Sequence, residues 1–232
     1  MAAAPVRFDY LKDPIAIYRQ SFAMIDDAIE ADIPAHIYPV AVRLVHASGM
    51  AGIVDDLAFS ENAGTVGAQA LAAGATILCD AEMVSAGIIR KRLPANNKVI
   101  CTLNDPSTAT RAKEQATTRS AAALDLWTPH MEGAVVAIGN APTALFRLLE
   151  MIDRGGPRPA LVLGFAVGFV GAAESKQALI DHAQALAVPF ITLKGRRGGS
   201  AMASAAVNAL AGGNETKAPG GNETKAPGGN EG

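Results

Sequence analysis

Two stretches decide the fold: GAVVAIG at residues 133–139 and ALVLGF at residues 160–165. Neither alternates polar with apolar. A strand that is apolar on both sides is covered on both sides, and helices do the covering. Three more runs of this kind, Ala75–Cys79, Lys98–Leu103 and Pro189–Leu193, bring the expected strands to five. Helical spacing fills the intervals at Arg119–Trp127, Pro142–Ile152, Ser175–Ala187 and Ser200–Ala211. Upstream, Asp13-Pro14 opens a helix carrying Ile15, Tyr18, Phe22 and Ile25 on one side, and a second helix follows Pro39 with Val42, Val45 and His46. Phe59–Gly64 reads as a loop and Val66–Ala73 as a helix. The alternation specifies an α/β chain, a three-layer α/β/α domain with a five-stranded, mainly parallel sheet. A doubly wound, flavodoxin-like strand order is the most economical one.

The domain occupies residues 1–211. Beyond it, GGNETKAP at 212–219 repeats at 220–227 and GGNEG follows. With no aliphatic side chain larger than alanine, residues 212–232 cannot offset the entropy of ordering, and read as a flexible tail or a cloning-related extension. Seven of the 23 glycines fall in that tail, so the domain is not glycine-rich. The formal charge of −2 over 232 residues argues against a nucleic-acid protein, which needs a basic field. Two cysteines, Cys79 and Cys101, make neither a disulfide framework nor a zinc-ligand spacing, so no metal is expected. The N-terminal residues lack signal-peptide character and no apolar run spans a membrane, so a soluble, cytoplasmic protein is expected.

In a doubly wound sheet, ligands bind beyond the carboxyl ends of the strands. The segments there are Cys79–Val84, Thr102–Pro106, Gly139–Thr143, Gly164–Gly171 and Lys194–Ser200, rich in Gly, Asn and charge. None is a nucleotide fingerprint: there is no GxxxxGK[ST], and the glycines at 164, 168 and 171 do not make GxGxxG. Lys194, Arg196 and Arg197 form a basic cluster suited to carboxylates or phosphates, or to plain solvation. Of the four histidines, His36 sits in a polar, proline-flanked connection and is expected to be exposed. His130 adjoins Pro129, and His182 lies on an amphipathic helix. His46, at the end of its helix, is the one placed for acid–base work near neutral pH.

Taken in order, these blocks resemble the precorrin-8X methylmutases of cobalamin biosynthesis. The resemblance runs through Ile17–Phe22, Ala41–Gly49, Ile77–Val84, Thr118–Leu124, Ala137–Leu145, Val167–Lys176 and Gly195–Met202, and leaves out the tail. It implies a flavodoxin-like fold and an isomerase that moves a methyl group from C-11 to C-12 of precorrin-8x, giving hydrogenobyrinate. It further implies the cobalt-free form of the substrate, no cofactor and a homodimer. By the same resemblance His46 is the general acid and Ser21, Arg43 and Arg119 contact the substrate, whose acetate and propionate groups suit arginine. Arg43 lies three residues before His46, so one helix face can present both. Product hand-over to the next pathway enzyme is a further expectation. The competing reading is a non-catalytic tetrapyrrole carrier with the same pocket.

Overall fold

The computed structural model describes residues 7–212; all but Gly212 of the repeat tail lies outside them. Its sheet has six strands: β1 (Leu57–Phe59), β2 (Ile77–Cys79), β3 (Val99–Cys101), β4 (Val135–Ile138), β5 (Leu161–Gly164) and β6 (Phe190–Leu193). They are ordered β1-β6-β5-β4-β2-β3. The strands β2 to β6 run parallel to one another and correspond to the five apolar runs. The five-stranded expectation is corrected by β1, which pairs antiparallel with β6, Leu57 opposite Leu193 and Phe59 opposite Ile191. Three residues carry no readable period; β1 is a strand because the exposed edge of β6 pairs with it.

The register sorts side chains into two cores. Ile77, Val135 and Leu161 stand abreast on one face, with Ala137, Leu163 and Ile191 in the next rows. Val136, Val162 and Phe190 stand abreast on the other. The first face is covered by α2 (Tyr38–Ser48), α3 (Ala63–Ala72), α4 (Glu82–Gly87) and α9 (Ser200–Leu210), with α1 (Pro14–Ala28) packed outside α2. The second is covered by α7 (Pro142–Asp153), α8 (Ala172–Leu186) and a 3₁₀ segment, Leu124–His130. This is the three-layer arrangement that apolar parallel strands require. Two short helices, α5 (Thr108–Glu114) and α6 (Arg119–Ala123), precede that segment.

Local chemistry sets the helix ends. Asp13 accepts a hydrogen bond from the Ile15 amide at 3.0 Å and Pro14 occupies the first turn, which starts α1. Gly49, at φ +68°, ends α2 just after His46 and Ser48. The helix expected over Arg119–Trp127 stops at Ala123, whose carbonyl accepts from the Thr102 hydroxyl at 2.8 Å, and the chain tightens to 3₁₀. His36 is half-buried rather than exposed: its ring meets the edge of Phe59 at 6.2 Å and its backbone packs against Gly64.

One side chain ties the middle of the sheet together. From β2 the chain crosses to β3 on one side, then returns to β4 on the other, so β2 and β4 flank the point where strand order reverses. Asp80 follows β2 and is 2% exposed. Its carboxylate accepts from the amides of Gly139, Asn140 and Ala141, after β4, at 2.8, 3.0 and 2.8 Å. Burial pushes the carboxyl up from its ordinary range, and the amide donors pull against that. Asp80→Ala strips three amides of their acceptor and is expected to cost about 3 kcal/mol, with unmet buried donors as the mechanism. In a melting experiment that is a fall of about 6–12 °C; a variant melting with the wild type would show that water replaces the carboxylate without loss.

Candidate active site

Ser21, Arg43 and His46 come together where α1 crosses α2. Tyr18, Ser21, Phe22 and Ile25 occupy one face of α1 by helical spacing, and Arg43 and His46 lie one turn apart on α2. The His46 ring stacks on Phe22 with centroids 5.2 Å apart at 26°. The Arg43 guanidinium also sits over Phe22, at 5.2 Å, and over Tyr18, at 5.6 Å. Tyr18 and Phe22 stack on each other at 4.3 Å. Two aromatic rings thus form a plate beneath the imidazole and the guanidinium. Ser21 Oγ lies 3.3 Å from His46 Nδ1, within hydrogen-bond distance. With Nδ1 so occupied, Nε2 is the ring nitrogen left to address a ligand.

His46 is exposed, on the ridge between two clefts. One, of about 520 Å³, runs between α1 and α2 and is mostly apolar, with Leu11, Ile17, Met24 and Val45 beside Ser21. The other, of about 330 Å³, is lined by Arg43, Met83, Gly87, Ser200, Ser204 and Asn208. It lies at the carboxyl edge of the sheet. A Cβ on Gly139, just after β4, would stand 2.8 Å from Ser200 Cα, 2.8 Å from Ala203 Cβ and 2.9 Å from Val84 Cγ2. Asn208 clamps the far wall: its amide group donates to Gly87 O at 3.0 Å and accepts from the Ile89 amide at 2.8 Å.

Arg119 lines neither cleft. Its guanidinium donates to Leu103 O at 3.0 Å and to Asn104 Oδ1 at 2.9 Å, beyond the end of β3. Asn104 in turn donates to Glu82 at 3.4 Å, next to the cleft residue Met83. In the basic loop, Arg197 pairs with Asp56 at 3.4 Å and Arg196 covers the Phe169 ring at 5.4 Å. Burial pushes the Cys101 thiol up to about 11 and the Cys79 thiol higher still, so neither is a ready nucleophile at neutral pH. Composition gave no sign of the Tyr18–Phe22 plate. The only signal was the pair of aromatic residues four apart on the face that also carries Ser21.

The family model for precorrin-8X methylmutase matches residues 16–212, from the first turn of α1 to the end of α9. The chain belongs to the precorrin-8X methylmutase family. It is thus an isomerase, of the intramolecular transferase kind. A precorrin-8X methylmutase of Pseudomonas aeruginosa is 61% identical over 204 residues, covering 88% of this chain and 97% of that protein. A cobalt-precorrin-8 methylmutase of Salmonella typhimurium is 37% identical over 211 residues, covering 87% of this chain and 96% of its own. The solved precorrin-8x methyl mutase of Thermus thermophilus superposes with a TM-score of 0.77 at 39% identity, over 85% of this chain and 94% of that one.

Gly139 couples this methylmutase-family fold to its cleft, packed between α4 and the first turn of α9. Gly139→Ala is expected to push the first turn of α9 off the end of β4 and to cost about 1–3 kcal/mol by overpacking. Denaturant unfolding reads the loss, and an unchanged midpoint would mean that α9 shifts freely.

Proposed function

We propose that this chain moves the methyl group on C-11 of precorrin-8x to C-12, giving hydrogenobyrinate, with His46 as general acid. The observation that carries the reading is the His46 imidazole on its aromatic plate, Nδ1 beside Ser21, at the meeting of two clefts. A methyl shift between adjacent carbons of a conjugated ring needs no net redox change. It proceeds as a sigmatropic rearrangement once the π-system is polarised by a proton. His46 lends that proton from Nε2 and recovers it afterwards, so substrate and product remain isomers and no cofactor is consumed. While the ring is cationic, Nδ1–H donates to Ser21 Oγ, which holds the imidazole in one orientation.

Arg43 is at hand for one substrate carboxylate. Arg119 serves another from across a subunit boundary. Phe8, Tyr10, Ile15 and Met24, all exposed around α1, and Phe169 and Val170 in the loop after β5 favour a homodimer that covers them. The cobalt-free substrate is favoured because identity is higher to the relative named for precorrin-8X, 61%, than to the one named for the cobalt form, 37%. The order β3-β2-β4-β5-β6 supports the flavodoxin-like reading of the parallel strands. The end of the family match at residue 212 supports residues 1–211 as the catalytic domain. Among the described residues no helix is long and apolar enough to cross a membrane; a cytoplasmic location and hand-over of the product to the next pathway enzyme belong to the same proposal.

His46→Ala is expected to fold and to lose conversion of precorrin-8x by about 10²–10⁴-fold, the usual worth of a general acid. The methyl shift changes the chromophore, so the absorption spectrum reads it directly. Full activity would remove His46 from the mechanism, and a wild-type protein that leaves the methyl group in place would be a carrier. Ser21→Ala, which frees the imidazole to rotate, is expected to lower kcat about tenfold with a smaller effect on KM; an unchanged kcat would make Ser21 a binding residue only.

A further inference from the structure

The first turns of α8 bury a lysine. Lys176 is fully buried, and its Nζ donates to the main-chain oxygen of Arg197. Asp56 is the carboxylate that acts on it electrostatically, and Asp56 is already paired with Arg197 at 3.4 Å. Burial pulls the ammonium down to about 8. An apolar side chain of the same length would be easier to bury there. The feature that lysine supplies and an apolar side chain cannot is the bond to the Lys194–Gly199 loop.

That loop needs an anchor. Gly195 and Gly199, at φ +74° and +130°, give it the freedom of two left-handed positions. Main-chain bonds also hold it: Lys194 N to Asp56 O at 2.7 Å, Gly168 N to Arg196 O at 3.4 Å, and Gly199 N to Phe165 O at 2.8 Å. The loop runs straight into Ser200, the first residue of α9, which lines the cleft with Arg43 and His46. Arg197 is held by Asp56, whereas Arg196 is exposed and lies over Phe169.

We infer that Lys176 is a positioning residue for the reaction. It fixes the peptide at Arg197 so that the first turn of α9 stands ready at the cleft, with the exposed Arg196 guanidinium of the same loop receiving a carboxylate of the substrate. The inference rests on the proposed reading of the cleft as the methylmutase site.

Lys176→Met keeps the length and removes the donor. Amide hydrogen exchange over residues 194–200 is expected to accelerate about tenfold, since the anchored loop opens locally. KM for precorrin-8x should rise about tenfold with kcat within about twofold, the signature of lost ground-state binding. Lys176→Gln, which keeps a donor, should recover part of both. Wild-type exchange and KM in Lys176→Met would overturn the inference. So would faster exchange spread across α8 and β6 with a lowered melting temperature, which is what a purely structural lysine predicts. Arg196→Gln changes an exposed residue, leaves the fold intact and should raise KM on its own; a wild-type KM there also overturns the inference. A wild-type protein that leaves the methyl group of precorrin-8x in place would instead sink the functional reading and leave the exchange result standing.

Discussion

The Asp80 carboxylate is the contact on which the rest of the site depends. Parallel strands meet no turn that joins them directly, so nothing local fixes the loops beyond their carboxyl ends. At the point where strand order reverses, the loops after β2 and β4 diverge to opposite faces of the sheet, and their amides have no ladder partners. Asp80 supplies acceptors to three of them at once. Burying a carboxylate is unfavourable, and burial raises its pKa; charge-assisted bonds from oriented amides are the compensation such a group needs. The loops are thereby fixed before any ligand arrives.

From that fixed edge the cleft is built by close approach of small residues. Gly139 leaves no room for a side chain between β4 and the first turn of α9, and Gly87 none between α4 and Ser204. The small residues Ala203, Ser204 and Ala206 on α9 let the helix sit low against the sheet. Because α9 is low, α2 can lie over it, and the last two turns of α2 bring Arg43 and His46 to the open side. His46 therefore owes its place to glycines on other elements, two helices removed from it.

Much of this was legible in the sequence, for definable reasons. The five apolar runs declared a sheet covered on both faces because burial acts on each residue in turn. Strand β1 was not legible: Leu57, Ala58 and Phe59 become a strand only by pairing with β6, more than 130 residues on. The stop of α6 at Ala123 depends on a hydroxyl from Thr102, equally non-local. In the site, the pairing of Arg43 with His46 followed from helical spacing, whereas Ser21 joined them by resemblance, since no local rule links residues 25 apart. The double service of Tyr18 and Phe22, core on one side and plate on the other, is invisible to a pattern that scores them only as apolar. Resemblance likewise grouped Arg119 with His46, yet within one chain it stands beyond β3, held by Leu103 and Asn104.

The domain is nearly neutral, yet the ligand proposed for it carries many carboxylates. A broad basic field would attract such a ligand but would not orient it, and orientation is what a shift between two neighbouring carbons demands. The cations here are held before the ligand arrives: Arg43 on two aromatic faces, Arg119 on a carbonyl and an amide oxygen, Arg197 on Asp56, Arg196 on Phe169. A guanidinium already held loses less rotamer freedom when it meets a carboxylate, so few are needed. The neutral partners matter for the same reason. Rings and backbone oxygens fix an arginine without cancelling its charge, as the Leu103 carbonyl does for Arg119, whereas Arg197 is tied to the Asp56 carboxylate.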